Sequence, residues 1–188
     1  MSLFVGLEQG AAAIRSFELV VIPGLLQTHR YAAAVLKKDV WPFTDDRIER
    51  LVEVRMARQG ILAREPDPLN LSVVLDEAIL RHAADPRIMA EQLDHLITMA
   101  ERSNITLRVL PYRHGVHSYA PGAFQILEFP WDTDPGVVYN EHRDGAVYLE
   151  EVHEIDSYTL AFERLSDLAM TPDESIATMR AIAEEYAP

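Results

Sequence analysis

Cysteine is absent from this chain of 188 residues. Its absence excludes disulfide bonds, thiolate zinc sites and cysteine nucleophiles, and it is typical of proteins from a reducing cytoplasm. No apolar run reaches the roughly 18 residues that a membrane-spanning helix needs. Residues 1–3 lack the basic and apolar regions of a signal peptide, and we interpret them as a remnant of expression cloning. We therefore expect a cytoplasmic protein that does not associate with a membrane.

Recognisable catalytic motifs are also missing. The chain has no G-x-S-x-G nucleophile elbow, no phosphate-binding glycine loop and no dinucleotide fingerprint, so we expect no cofactor. The chain has 30 acidic and 17 basic residues, and its net charge is −13. Such a surface repels DNA phosphates over a Debye length of about 8 Å, so we expect no binding of duplex DNA by this chain alone. The acidic surface either maintains solubility or favours a basic partner.

The hydrophobic pattern predicts one compact α+β domain over residues 1–188, with a mixed sheet of about five or six strands packed with about five helices. Strands are expected at residues 17–22, 69–75, 105–110 and 123–129, and a hairpin over 136–150. Helices are expected at 28–38, after the caps Thr44 and Asp85, and in two segments that close the chain. Because a helix of about 17 residues separates strands 69–75 and 105–110, we expect these two strands to be parallel.

Paired carboxylates follow the second predicted strand. Asp76 and Glu77 stand at its carboxyl end, and Arg81 follows within one helical turn. The pair could act as a general acid and base in an enzyme. We favour a different interpretation, in which Asp76 and Glu77 begin a helix and Arg81 forms an ion pair with them.

A loop rich in aromatic and basic side chains follows the third predicted strand. Histidines three residues apart can bind a metal on a helix or a tight turn, but the flanking glycines and prolines indicate a loop, so we predict no metal site. We expect this loop to contact a ligand or a partner; a solvated loop is the alternative. The candidate contact residues are Tyr112, Arg113, His114, His117 and Tyr119 of this loop, together with Asp76, Glu77 and Arg81.

Two charged segments have less specific patterns. The acidic hairpin around Glu141 and His142 could sense pH or bind a basic partner, although we favour a solvated turn. The basic cluster near Gln59 could hold a phosphate, although we favour pairing with acidic groups of the same chain. That cluster consists of Arg47, Arg50, Arg55, Arg58 and Arg64.

The segment over residues 17–36 carries the most distinctive pattern, Pro23-Gly24-Leu25-Leu26-Gln27-Thr28 followed by Tyr31 and Ala32. It resembles the signature PGLLQT-x-x-Y-A of a domain of unknown function found after the helix-turn-helix of actinobacterial XRE-type (Scr-type, antitoxin-like) transcriptional regulators. Further motifs of that domain follow in order. They are D-E-A-x-L-R at 76–81, M-x-x-Q-L-x-x-L at 89–96, V-V-Y-x-E at 137–141 and Y-x-x-x-F-x-x-L at 158–165.

The resemblance implies a cytoplasmic, non-enzymatic regulatory domain that binds a small partner protein or an unknown ligand, and it leaves a homodimer open. DNA would be bound only through an N-terminal helix-turn-helix that this chain lacks. We expect the PGLLQT segment to be a structural turn that buries Leu25 and Leu26. The alternative is a hydrolase-like or former enzyme with a pocket around Asp76, Glu77, His114 and His117.

Overall fold

The computed structural model describes residues 3–82, 85–115, 119–120, 122–131 and 133–186. Within these residues the chain forms six strands and seven α-helices. The strands are β1 Ala13–Glu18, β2 Asn70–Asp76, β3 Ile105–Leu110, β4 Phe124–Glu128, β5 Val137–His142 and β6 Gly145–Leu149. The helices are α1 Leu3–Gly10, α2 His29–Lys37, α3 Asp45–Arg58, α4 Glu77–Arg81, α5 Pro86–Ala100, α6 Val152–Leu168 and α7 Pro172–Glu185.

The six strands form one mixed sheet in the order β3-β2-β1-β4-β5-β6. β1 and β2 pair in parallel, and so do β2 and β3. The other pairs, β1–β4, β4–β5 and β5–β6, are antiparallel. The structure therefore confirms the predicted α+β fold, the parallel pairing across α5 and the β5–β6 hairpin.

Helix caps account for several helix starts. Thr28, Thr44 and Asp85 each accept a hydrogen bond from a backbone N–H in the first turn of α2, α3 and α5. Thr171 and Glu174 form the capping box predicted for α7. These four caps confirm that local side-chain chemistry sets the helix boundaries.

The predicted bounds of the first strand were wrong. The apolar run at residues 17–22 indicated a strand there, but β1 covers Ala13–Glu18 and ends before most of that run. The strand bounds are set by hydrogen-bonded pairing with β2, because β1 pairs with it residue for residue from Ala13 opposite Asn70 to Glu18 opposite Leu75. Val20 is 72% exposed, so the run does not continue the sheet. The helix α1 was not predicted.

The sheet separates two cores. On one face, α6 covers a cluster that includes Phe17, Val74 and Phe124. On the other face, α5, α7 and the PGLLQT segment cover a larger cluster, which is made chiefly of aliphatic side chains and includes Leu71 and Leu93. Both faces of the sheet are therefore buried over much of their area, as the apolar runs in β2 and β3 require.

One glycine is required by the sheet. Gly136, directly before β5, has a φ of +94°, and a Cβ added there would lie 2.6 Å from the carbonyl oxygen of Leu127. A side chain at this position would therefore collide with the backbone of β4, in a conformation that residues other than glycine rarely adopt.

Candidate functional site

The PGLLQT segment forms a short 3-10 helix, Gly24–Leu26, after the chain leaves β1. Leu25 and Leu26 are both buried in the larger core, which confirms the predicted burial of the two leucines. The segment is therefore anchored by apolar packing on the face of the sheet opposite α6.

Two glutamine side chains, the buried Gln27 and the partly buried Gln59, hold this turn in place. Gln27, which is 2% exposed, donates to the carbonyl of Ile22 at 2.6 Å and accepts from Nη1 of Arg55 at 2.6 Å. Gln59 donates to the carbonyls of Gly24 and Gln27 at 3.0 and 2.8 Å. These bonds tie the turn to α3 and satisfy polar groups that would otherwise be costly to bury.

Gln92 connects the same turn to α5. Its side chain is fully buried, donates to the carbonyl of Leu26 at 2.7 Å and accepts from the backbone N–H of Thr28 at 2.6 Å. Sequence reasoning did not identify this role. The available signal was a glutamine within the apolar stripe of a helix, at the Gln92 position of the M-x-x-Q-L pattern.

A cavity of about 540 Å³ lies beside the turn, and we call it the turn cavity. Its floor is the sheet face formed by β1, β4, β5 and β6, and α1, α3 and the turn form its walls. The polar and charged side chains that line it include Ser16, Glu18, Arg55, Arg58, Gln125 and Glu141. Side chains alternate between the two faces of a strand, so Ser16 and Glu18 lie on the same face of β1. This pair was not identified from the sequence because the predicted strand began at residue 17.

Glu18 is the buried acid of the turn cavity, with 9% of its surface exposed. It accepts hydrogen bonds from Oγ of Ser16 at 2.5 Å and from Nε2 of Gln125 at 3.3 Å. The pKa of Glu18 is raised to about 7, chiefly because the side chain is buried; the two hydrogen bonds oppose the shift, and the charge of Glu141 adds to it. Glu18 therefore exchanges a proton near neutral pH.

Arg58 and Glu8 form a bidentate ion pair in the wall of the turn cavity. Nε and Nη2 of Arg58 donate to the two carboxylate oxygens of Glu8, each at 2.7 Å. The ring of Phe4 lies 5.4 Å from the Arg58 guanidinium carbon. This pair agrees with the interpretation that the arginine cluster pairs within the chain.

Arg55 differs from Arg58. Its Nη1 donates to Gln27, and among the described residues no carboxylate lies within ion-pair distance of it. Burial lowers the pKa of Arg55, and the nearby positive charge of Arg58 lowers it as well, while the negative charge of Glu141 opposes the shift. The cavity wall therefore contains a half-buried guanidinium with no carboxylate within ion-pair distance in the part of the chain that the structure describes.

The predicted acidic pair has structural partners. Asp76 caps α4 by accepting from the backbone N–H of Ala78 at 2.8 Å. Glu77 is buried and accepts from Nε of Arg81 at 3.1 Å, while Nη1 of Arg81 donates to Glu185 at 2.9 Å. These contacts match the helix-start interpretation, and none of the three predicted residues lines the turn cavity.

The predicted contact loop lies near this acidic pair. Tyr112–His114 forms a 3-10 turn directly after β3, the strand beside β2, and Tyr112 and Tyr119 are 63% and 45% exposed. Arg113 interacts electrostatically with Glu174 at the start of α7. His117 and the side chain of His114 lie outside the described residues, so the contact role of the loop stays a prediction.

Membrane spans and metal sites are not found in the described part of the chain. No helix there is long and apolar enough to cross a bilayer. The same residues contain no group of three or more histidine, aspartate or glutamate side chains arranged to hold a metal ion.

A family model described as "Domain of unknown function (DUF5753)" matches residues 1–181, and the chain belongs to this family. No curated protein and no solved structure matches the chain. The family match supports the part of the resemblance that concerns a domain of unknown function.

Proposed function

We propose that this domain is the ligand-binding regulatory part of an XRE-type helix-turn-helix transcription regulator from the actinobacterial cytoplasm, and that its ligand binds in the turn cavity. DNA contacts would be made by a helix-turn-helix segment preceding the domain. The observation that carries the proposal is the turn cavity itself. One space is lined by the buried Glu18 and by Arg55, which has no carboxylate partner among the described residues.

The composition of the turn cavity supports binding over a purely structural role. Burying charged groups without full pairing is costly, and a stable core does not require it. The opposite face of the same strands is closed by apolar side chains, including Phe17 and Phe124. A volume of about 540 Å³ also lies within the usual range for small-molecule pockets.

The hydrogen bonds of the turn offer a route for regulation. Arg55 lines the turn cavity and also donates a hydrogen bond to the side chain of Gln27 in the turn. Gln59, the residue after α3, donates to the backbone carbonyls of Gly24 and Gln27. An occupant that contacts Arg55 would therefore act on the turn and on α3 together. A small partner protein bound at the exposed surface, as in antitoxin-like regulators, is the alternative occupant.

An enzyme is the second candidate, and Glu18 is the observation that favours it. A carboxyl group with a pKa of about 7 in a cavity has the property of a general acid or base. Replacement of Glu18 by Gln would abolish turnover in an enzyme, whereas a binding domain would keep its ligand response with altered affinity.

Substitutions in β6 test the proposed function. Ala146 lines the turn cavity, so Ala146→Trp should fill part of it. Val147→Trp is the matched control, because Val147 is the next residue of the same strand and projects to the opposite face. Both variants would be made in the natural regulator, purified from its host and compared by native mass spectrometry and by genome-wide transcript levels.

We expect the wild type and Val147→Trp to retain the same bound small molecule and the same transcript profile. Ala146→Trp should lose the small molecule and change the profile, while its thermal unfolding stays close to that of the control. Unchanged transcription in a folded Ala146→Trp variant would contradict a regulatory role for the turn cavity.

A further inference from the structure

We infer that the turn cavity takes a small organic anion, a carboxylate or a phosphate monoester, whose negative group is held by Arg55 and whose polar remainder is hydrogen-bonded by the Ser16–Glu18–Gln125 group. This inference rests on the proposed function and gives the chemical class of its ligand.

The first argument is the local charge. The whole chain has a net charge of −13, yet three arginines, Arg55, Arg58 and Arg143, line this one cavity. Of its acidic residues, Glu8 is neutralised by Arg58 and Glu18 is buried beside two hydrogen-bond donors. Glu141 is the exposed acidic residue at the rim. Cationic groups in a concave, partly desolvated site attract anions more strongly than the same groups on an open surface.

The second argument is the contrast between the two arginines of α3. Arg58 uses Nε and Nη2 on Glu8, which supplies its counter-charge. Arg55 has only the neutral Gln27 as its hydrogen-bond acceptor in the described structure. A guanidinium offers several N–H donors in a planar fork that matches a carboxylate or a phosphate. Arg55 is therefore the group in the cavity for which a bound anion would provide a counter-charge.

The third argument is the chemistry and size of the rest of the cavity. Glu18 is hydrogen-bonded to Ser16 and Gln125, whereas Arg55 is hydrogen-bonded to Gln27, so the acid and the guanidinium contact different parts of the space. Because burial raises the pKa of Glu18 to about 7, its carboxyl group can be protonated near neutral pH and can then donate to a ligand oxygen. A cavity of about 540 Å³ is larger than an inorganic anion requires, which favours an organic ligand.

Nuclear magnetic resonance titration of the 188-residue chain tests the inference. Benzoate and phenyl phosphate are the probes, and benzamide is the neutral comparator. The signals followed are the arginine Nε–H groups and the side-chain amide of Gln125. Variants Arg55→Gln and Arg50→Gln are compared, because Arg50 is an exposed arginine of the same helix that does not line the turn cavity. Both variants remove one positive charge.

We expect at least one of the two anions to shift the Arg55 and Gln125 signals saturably, and benzamide to leave them unchanged. Arg55→Gln should weaken binding roughly tenfold or more, as for loss of a charge-assisted hydrogen bond. Arg50→Gln should change the affinity by no more than about twofold. The benzoate and phenyl phosphate arms then distinguish a carboxylate ligand from a phosphate ligand.

Equal effects of Arg55→Gln and Arg50→Gln, or no saturable shift with either anion, would overturn the inference. If Arg55→Gln does not fold, Arg55→Lys keeps the charge without the planar fork and should still weaken binding. The ligand class can fail while the proposed function stands, because Ala146→Trp would then still change transcription. If Ala146→Trp has no effect on transcription while the anions bind, the proposed function fails and the anion site remains.

Discussion

The two faces of β1 differ although they belong to the same six residues. Phe17 faces α6 and is fully buried among apolar side chains. Ser16 and Glu18, its neighbours on either side, face the turn cavity and bind each other. At this end of β1, one face therefore contributes to stability by apolar burial, while the other keeps polar groups beside an open space.

The covering elements explain this difference. The long helix α6 lies against the sheet and closes its face with Ile155, Phe162 and Leu165. Over the antiparallel half of the other face, the covering elements are the short helix α1, the side chains of α3 and the PGLLQT turn. A sheet face thus becomes a site where its covering elements leave a gap, and the residues in that gap can be polar.

Phe17→Ala is expected to have the largest effect on stability. Removal of a fully buried aromatic side chain from the face covered by α6 should lower the free energy of unfolding by about 3–5 kcal/mol. Urea unfolding, followed by circular dichroism, measures the change. A loss below about 1 kcal/mol would show that this face is not the tightly packed one.

Leu25→Ala tests the apolar anchor of the turn. Leu25 is buried in the larger core, so its truncation should lower the free energy of unfolding by about 2–5 kcal/mol. Thermal and urea unfolding provide the measurement. An unchanged midpoint together with lost partner binding would instead identify Leu25 as an interface residue.

Glu18→Gln should alter the pH dependence of stability. Because the folded pKa of about 7 lies above the ordinary value of 4.5, the folded state holds the proton more tightly than the unfolded state. The stability contributed by this group is present below pH 4.5 and is lost as pH rises through 7. Its magnitude is on the order of 3 kcal/mol.

The measurement for Glu18 is urea unfolding at about pH 5 and about pH 8, on either side of the folded pKa. The wild type should lose stability over this interval relative to Glu18→Gln, whose side chain has similar size and does not titrate. Parallel pH profiles for the two proteins would mean that Glu18 is ionised at both pH values.

Ser16→Ala is expected to have the smallest effect. It removes the hydroxyl that donates to Glu18, so the free energy of unfolding should fall by about 1 kcal/mol at about pH 8. The effect should be smaller at about pH 5, where Glu18 is protonated. Unfolding of the single variant at both pH values, and of the double variant with Glu18→Gln, measures the coupling between the two side chains.

Local sequence signals identified much of the fold. Thr28, Thr44, Asp85 and Thr171 were recognised as helix caps because their hydrogen bonds join residues two or three positions apart. The hairpin and the strands β2 and β3 were also predicted correctly, because short hydrophobic runs and turn residues within a few positions of each other indicate them. The first strand did not, because its bounds depend on pairing with β2, which lies more than 50 residues away.

The sequence by itself determined the fold class, most helix starts and the burial of Leu25 and Leu26, since these depend on local hydrogen bonds and hydrophobic periodicity. Only the tertiary structure decided the candidate site. Glu18, Arg55 and Gln125 come from three distant segments, and no spacing along the chain indicates that they line one cavity. Whether Arg55 has a counter-charge depends on which side chain packs beside it, as the pairing of Arg58 with Glu8 illustrates.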